Sequence, residues 1–304
     1  MRTASRSIVF LMFLGMAGIA RAFTVFACEP EWAALTLALY PKAQIFSATN
    51  HLQDPHHIEA RPSLIARLRQ ADLAICTGAG LEAGWLPVLQ SRAGNPKVQD
   101  GQPGMFYAAK ASALIQSGPS TLNPFSGDVH AEGNPHIHAD PHRLRQVARA
   151  LRDRLVQLRQ SDAAEITAAH ADFDARLAAK INEWERLAAP LKGKAIVVQH
   201  STFDYLWLWL QISRLADLEP KPGMSPTPGH LERIQQLVKQ GSVSAIVIAE
   251  HHDRRPAEWL VRQELKRKLP LLVLPATVTE VSANALIDWL EGLVATLRKQ
   301  LEGQ

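Results

Sequence analysis

The feature that most constrains this chain is one uninterrupted helical stripe near its middle. Ile166, Phe173, Leu177, Ile181, Trp184 and Ala188 recur at helical spacing. Asp162 with Glu165 three residues on has the form of a capping box, and Pro190 and Gly193 stop the run. Some 26 residues of helix span about 39 Å, roughly the length of a domain. No heptad repeat is sustained, so the stripe reads as a helix packed across two lobes rather than as a coiled coil. His170, also on this helix, is expected at its surface or flank.

On either side of the stripe the same pattern repeats. Phe23–Cys28, Gln44–Ala48 and Ala71–Gly78 read as strands, with helices over Trp32–Leu39 and residues 63–70 between them. Residues 94–133, rich in Gly, Pro, Ser and Asn, read as loop with a short element near 105–116, and Pro141 opens a helix. Beyond the long helix come strands at Ala195–Val198, Ser244–Ala249 and Leu271–Leu274. Helices are expected at Phe203–Leu210, Leu231–Lys239 (capped by Thr227), Pro256–Lys266 and Ala283–Leu297, with Leu218–Gly223 extended. Strands alternating with helices make parallel sheets with right-handed crossovers. The expected fold is therefore α/β, two Rossmann-like lobes joined by one long rigid helix, divided 23–160, 161–189 and 190–304. Gly78-Ala79-Gly80 lacks the third glycine and downstream acid of a nucleotide loop and is discounted.

The first 22 residues read as a leader. Arg2 and Arg6 precede an apolar run from Ile8 to Ala20, too short to span a membrane, and Ala20-Arg21-Ala22 suits cleavage after Ala22. Cleavage removes three basic residues from 33 against 29 acids, leaving 30 to 29 and a nearly neutral exported chain. No run of Lys and Arg with interleaved aromatics appears, which excludes nucleic acid as the expected partner.

Histidines carry the candidate chemistry. Gln53-Asp54-Pro55-His56-His57-Ile58-Glu59 holds two imidazoles and two carboxylates beside a proline that stiffens the turn. Asn134-Pro135-His136-Ile137-His138 repeats the polar-Pro-His phrase before another helix. Gln199-His200 follows a buried strand, and strand ends are where α/β proteins build their sites. His56, His136 and His200 are thus candidate ligands of one assembled metal site.

The only two cysteines, Cys28 and Cys76, end the first and third strands of the first lobe. Such strands are commonly neighbours, about 4.8 Å apart, within disulfide range. A bridge and a pair of buried thiols are both open at this point.

Taken in order, these phrases resemble the ZnuA-type zinc- and manganese-binding solute-binding proteins of bacterial ABC importers. The phrases are Asp54-Pro55-His56-x-x-Glu59, Thr77-Gly78-Ala79-Gly80-Leu81-Glu82-x-x-Trp85-Leu86, Asn134-Pro135-His136, Gln199-His200-x-x-Phe203-x-Tyr205 and Leu218-Glu219-Pro220-x-Pro222-Gly223. The resemblance implies a periplasmic, monomeric protein that holds one metal ion between its lobes and delivers it to the membrane permease of an ABC importer. It implies His56 and His136 as ligands from the first lobe and His200 from the second.

Two departures from the family pattern stand out. The place of a frequent Asp ligand reads Leu274-Pro275-Ala276-Thr277, and the loop before the second ligand offers only His130 rather than many histidines. Imidazole suits Zn²⁺ and carboxylate-rich sites suit Mn²⁺, so a three-histidine site tilts toward zinc. Water is the expected fourth ligand and Glu250 the second choice. Glu59 is expected to orient a ligand imidazole rather than bind metal. His57, His138, His142 and His252 read as supporting or surface residues, and His130 as an aid to metal capture. The competing readings are a zinc hydrolase with Glu59 or Glu250 as base, and a periplasmic zinc chaperone.

Overall fold

The structure, a computed structural model, describes residues 21–116, 128, 130–265 and 267–302. Leader residues 1–20 and Lys266, the expected end of one helix, lie outside the described residues.

The first lobe is a four-stranded parallel sheet. Its strands are β1 (Thr24–Ala27), β2 (Gln44–Ser47), β3 (Leu73–Cys76) and β4 (Met105–Tyr107), in the order β2-β1-β3-β4. The second lobe repeats this arrangement with β5 (Ala195–Val198), β6 (Ser213–Asp217), β7 (Ala245–Ala249) and β8 (Leu271–Leu274), in the order β6-β5-β7-β8. All pairings are parallel. The central strands β3 and β7 are buried along their whole length, as sheets covered on both faces require.

Helices α1 (Pro30–Leu39), α2 (Pro62–Gln70), α3 (Leu86–Ala93) and α4 (Pro141–Leu158) belong to the first half of the chain. The long helix is α5 (Ala163–Ala188), followed by α6 (Asp204–Leu210), α7 (Pro228–Lys239), α8 (Arg255–Gln263) and α9 (Ala285–Leu301). The stripe on α5 is buried at every position named above, against α1 and α4 from one side and α9 from the other. Each fully buried Ile, Leu or Phe there contributes about 1.5–3 kcal/mol. A single apolar seam thus ties both lobes to one rigid helix.

Several local details differ from the sequence reading. His170 is buried on the α5 stripe rather than at its surface; the turn of helix that carries it faces the packed side. Asp162 stands at the N-cap but makes no side-chain cap bond. Its carboxylate instead accepts hydrogen bonds from Tyr40 at 2.8 Å and Arg159 at 2.7 Å, and Glu165 pairs with Lys42. Strand β6 went unseen because it is a polar edge strand, with Arg214 tied to Asp204 and Asp217. Helix α3 went unseen because it follows directly on the Gly-rich turn. The Thr227 cap forms as expected, accepting from the His230 amide at 3.3 Å.

Cys28 and Cys76 are joined, with Cα atoms 4.8 Å apart. The bridge follows from pairing: the Cys28 amide donates to the Ile75 carbonyl at 2.8 Å, so the two residues leave neighbouring strands side by side.

Candidate metal centre

The two polar-Pro-His phrases fold by one local device. In Asp54-Pro55-His56 the Asp54 carboxylate accepts the His56 amide at 3.0 Å, and in Asn134-Pro135-His136 the Asn134 side chain accepts the His136 amide at 2.9 Å. A short polar side chain closing on the amide two residues later makes a tight turn, and the intervening proline stiffens it. Each turn is then pinned from elsewhere. The Trp85 indole donates to the Pro55 carbonyl at 2.9 Å. Tyr205 donates to the Asn134 carbonyl at 2.7 Å, and Asn134 itself donates to the Ser201 carbonyl at 2.9 Å. That last pair couples the His136 turn to the segment that follows His200. His200 leaves the end of β5, whose ladder continues through the Gln199 amide to Val247.

These three segments converge. His56, His136 and His200 each offer a ring nitrogen within 4.8 Å of the others. Their ring centroids lie 5.6 Å (His56 to His136), 5.6 Å (His56 to His200) and 5.8 Å (His136 to His200) apart. All three are at least nine-tenths buried, at the base of a cavity of about 190 Å³ lined from both lobes. Carboxylates set two of the rings. His56 Nδ1 meets Asp54 at 2.7 Å and His200 Nδ1 meets Glu219 at 2.8 Å, which leaves Nε2 of each ring as the free lone pair when the imidazole is neutral. Nε2 of His136 and Nε2 of His200 are buried with no hydrogen-bond partner. Buried polar atoms are almost always satisfied, so convergent, unpaired acceptors are the mark of a cation site.

The electrostatics divide these rings. Burial opposes charge on His56, yet the Asp54 hydrogen bond and charge outweigh it and hold the ring above its ordinary pKa. Burial and the neighbouring imidazoles push His136 well below, which favours its neutral form. Asp54 is lowered despite its burial because His56 bonds to it.

The model of the family described as the periplasmic zinc-uptake complex component A, ZnuA, matches residues 25–300. The chain belongs to the ZnuA family. It is 27% identical over 201 residues to the high-affinity zinc uptake system protein ZnuA of Yersinia pestis, covering 62% of this chain and 63% of that protein. The chain spans 63% and 41% of the length of the curated relatives it matches. Among solved structures, a crystal structure of ZnuA superposes with a TM-score of 0.75 at 16% identity, covering 93% of this chain and 100% of that one. The Pseudomonas aeruginosa solute-binding protein FpvC in complex with Mn²⁺ gives 0.70 at 17%, covering 93% and 99%. These likenesses reach the fold: two parallel α/β lobes on one long helix.

Within this ZnuA-family chain, two expected site residues stand elsewhere. Glu59 is exposed and is not the carboxylate on a site imidazole; Asp54, two residues before His56, closes on that ring instead. Glu250 follows β7 but turns its carboxylate toward His51, at 3.9 Å, and neither Glu59 nor Glu250 lines the cavity, whereas His251 and His252 do. At the place of the frequent family Asp, the Ala276 carbonyl meets His138 Nε2 at 2.9 Å, and Thr277 donates to Glu31 at 2.5 Å. His138 is thus buried and held between the Ala276 carbonyl and the Glu31 carboxylate. His142 is a surface residue paired with Glu185, and His57 is exposed near Asp128.

Nothing in the residue pattern around Glu219 marks it as the partner of His200, although its phrase is one of those that carry the resemblance. Asp54 carries a signal in its spacing to His56, that of a side chain closing on the amide two residues later. His130 stands directly against the group, its Nε2 3.1 Å from His56 Nε2.

Proposed function

We propose that this chain captures zinc in an exported, periplasmic compartment and hands it to the permease of an ABC importer, acting as a monomer. The observation that carries the reading is the set of buried imidazole nitrogens without donors, drawn from both lobes onto one point. His56, His136 and His200 are the ligands in this reading, through neutral Nε2 atoms at about 2.0–2.1 Å from the ion. The nitrogen-rich donor set favours Zn²⁺ over Mn²⁺. A site split between lobes suits capture and release, since separating the lobes takes His200 away from the other two. The family match supports the transport role, and the leader through Ala22 supports export with cleavage at that point. Among the described residues no helix is long and apolar enough to cross a membrane.

We read the protein as a carrier and not a catalyst. Glu59 and Glu250, the two carboxylates the hydrolase reading casts as base, are absent from the cavity lining. An assay of ester and bicarbonate turnover by the zinc-loaded protein checks it, with no turnover above free zinc expected.

The main test is zinc affinity, measured in competition with a chromophoric chelator. His136→Ala and His200→Ala should each weaken binding at least about tenfold, and affinity should fall as pH drops, beginning above the ordinary imidazole range because Asp54 favours protonated His56. Parent-like binding by either variant would remove the two-lobe site.

A further inference from the structure

His252 stands on the cavity wall, and the three-histidine site gives it no task. The pairing of β5 with β7 ends at Val198 and Val247, and the Ala249 amide beyond it donates to His252 Nδ1 at 3.2 Å. A backbone amide only donates, so Nδ1 is the acceptor and the ring carries its one proton on Nε2. Two other imidazoles flank the ring. The His251 centroid lies 4.4 Å away, edge to face, and the His200 centroid 6.0 Å away. Among the described residues the Ala249 contact is the ring's one hydrogen bond. With Nδ1 turned back onto the chain, Nε2–H is the polar edge that this ring brings to the cavity. A ring in that state has no lone pair for a metal ion. It is a donor placed beside His200, whose own Nε2 is a buried acceptor without a partner.

Zinc takes four ligands, and His56, His136 and His200 supply three. The cavity of about 190 Å³ is far larger than one water needs, so a ligand from solvent has room beside the ion. We propose that His252 is a positioning residue that donates Nε2–H to this exogenous fourth ligand, a zinc-bound water. The inference rests on the zinc-carrier reading above and deepens it. A water that gives one lone pair to the ion keeps a second, and an N–H donor takes it. Two consequences follow. The fourth corner of the site is fixed by the ion and His252 together, without a carboxylate from the protein. The lone pair with which a zinc-bound water would attack a substrate is also occupied, which suits an ion that is carried rather than used. His252 therefore acts through the water, and its loss should be felt at the fourth position far more than in the hold of the three imidazoles on the metal.

The test uses the intact exported chain loaded with Zn²⁺ or, for its absorption spectrum, Co²⁺. Azide is the probe, a small anion that displaces a metal-bound water and accepts hydrogen bonds in its place. The parent, His252→Ala, His252→Gln and His136→Ala are compared at one neutral pH. Azide should change the spectrum of the Co²⁺-loaded parent. It should bind His252→Ala at least about tenfold more weakly, as the loss of a hydrogen bond to a charged group predicts. His252→Gln, whose amide reaches about as far as Nε2, should recover to within about threefold of the parent. Zinc affinity of both His252 variants, by chelator competition, should stay within about tenfold of the parent. Nitrogen NMR of labelled histidines should show His252 protonated at Nε2 in the zinc-loaded parent. Four results would overturn the role of His252 and, where His136→Ala loses zinc, leave the carrier reading standing: equal azide affinity in the parent and His252→Ala, no azide binding by the parent, a zinc loss in His252→Ala as large as in His136→Ala, or a proton on Nδ1. Parent-like zinc binding in His136→Ala, or none in the parent, overturns both.

Discussion

The two lobes share a strand order and put opposite chemistry at the same place. β1 ends at Ala27, and two residues on stands Glu29; β5 ends at Val198, and two residues on stands His200. Both strands are central, each between the second and third strands of its sheet. His200 is backed by the Glu219 carboxylate and turns a free nitrogen to the cleft. Glu29 turns inward: it accepts from the Thr77 amide at 3.2 Å and hydroxyl at 3.1 Å, beside Glu82, which takes the same amide at 2.6 Å. Burial raises the pKa of both carboxyls, Glu82 to about 7. The first lobe therefore spends its central strand end on a hydrogen-bonded floor that borders the cavity, stapled by Cys28–Cys76, and presents its candidate ligands from loops. The second lobe uses the strand end itself. Equivalent positions in repeated folds need not carry equivalent function, because function follows what the neighbouring strand offers as a partner.

The largest effect tests the staple. The bridge closes a loop with a sequence separation of 48, for which chain entropy gives about 4 kcal/mol. Replacing both cysteines by serine should lower the urea-unfolding free energy by about that amount and leave zinc affinity within about threefold. An affinity loss matching the stability loss would show that the floor and the cleft are one unit.

Next in size is the exchange of the two strand ends. His200→Ala should weaken zinc by about 100-fold, or 2.7 kcal/mol, while Glu29→Gln stays within about threefold. A Glu29→Gln variant that binds as poorly as His200→Ala would make Glu29 a metal ligand and break the contrast.

Much of this was legible in the amino acids. The α5 stripe, the buried strands and the Thr227 cap are local signals of periodicity and turn chemistry, and they appear where the pattern puts them. The convergence of His56, His136 and His200 was legible because each sits just after a structured element, where a parallel sheet directs side chains to one edge. What stayed hidden depends on pairing across space. Asp162 satisfies every rule of a cap, yet Arg159 and Tyr40 offer it stronger partners. Glu59 and Asp54 flank His56 almost equally in sequence, and only the direction of the turn decides that Asp54 closes on the ring. β6 carries too little apolar surface to be read as a strand, and it exists because β5 offers it an edge.

A third prediction concerns the buried carboxyls of this floor. The buried carboxyls have folded pKa values above the ordinary 4.5, reaching about 7 for Glu82. Between those values the folded state holds more protons than the unfolded one, so stability falls as pH rises through the window and is fully present below it. Metal-free melts should therefore show a loss on the order of 2 kcal/mol between pH 4.5 and 8. Glu82→Gln keeps an oxygen for the Thr77 and Gly78 amides and cannot ionise, so it should flatten most of that slope. A parent whose stability is level over this range would mean that the pair is not held protonated.

The smallest effects separate what a carboxylate does for a site imidazole. Glu219→Gln removes the charge behind His200 and should weaken zinc about tenfold, roughly 1.4 kcal/mol, as loss of a carboxylate behind a ligand histidine typically does. Asp54 has two tasks, since the same oxygen closes the turn on the His56 amide and orients the ring. The chain contains its own control: Asn134 closes the matching turn before His136 with an amide side chain. Asp54→Asn should therefore keep the turn and lose only the charge, weakening zinc by less than about tenfold. Asp54→Ala should lose turn and charge together and fall further. Equal losses in the two variants would mean that the turn contributes nothing and the charge everything. The recurrence of the polar-Pro-His phrase would then not be a matter of backbone geometry.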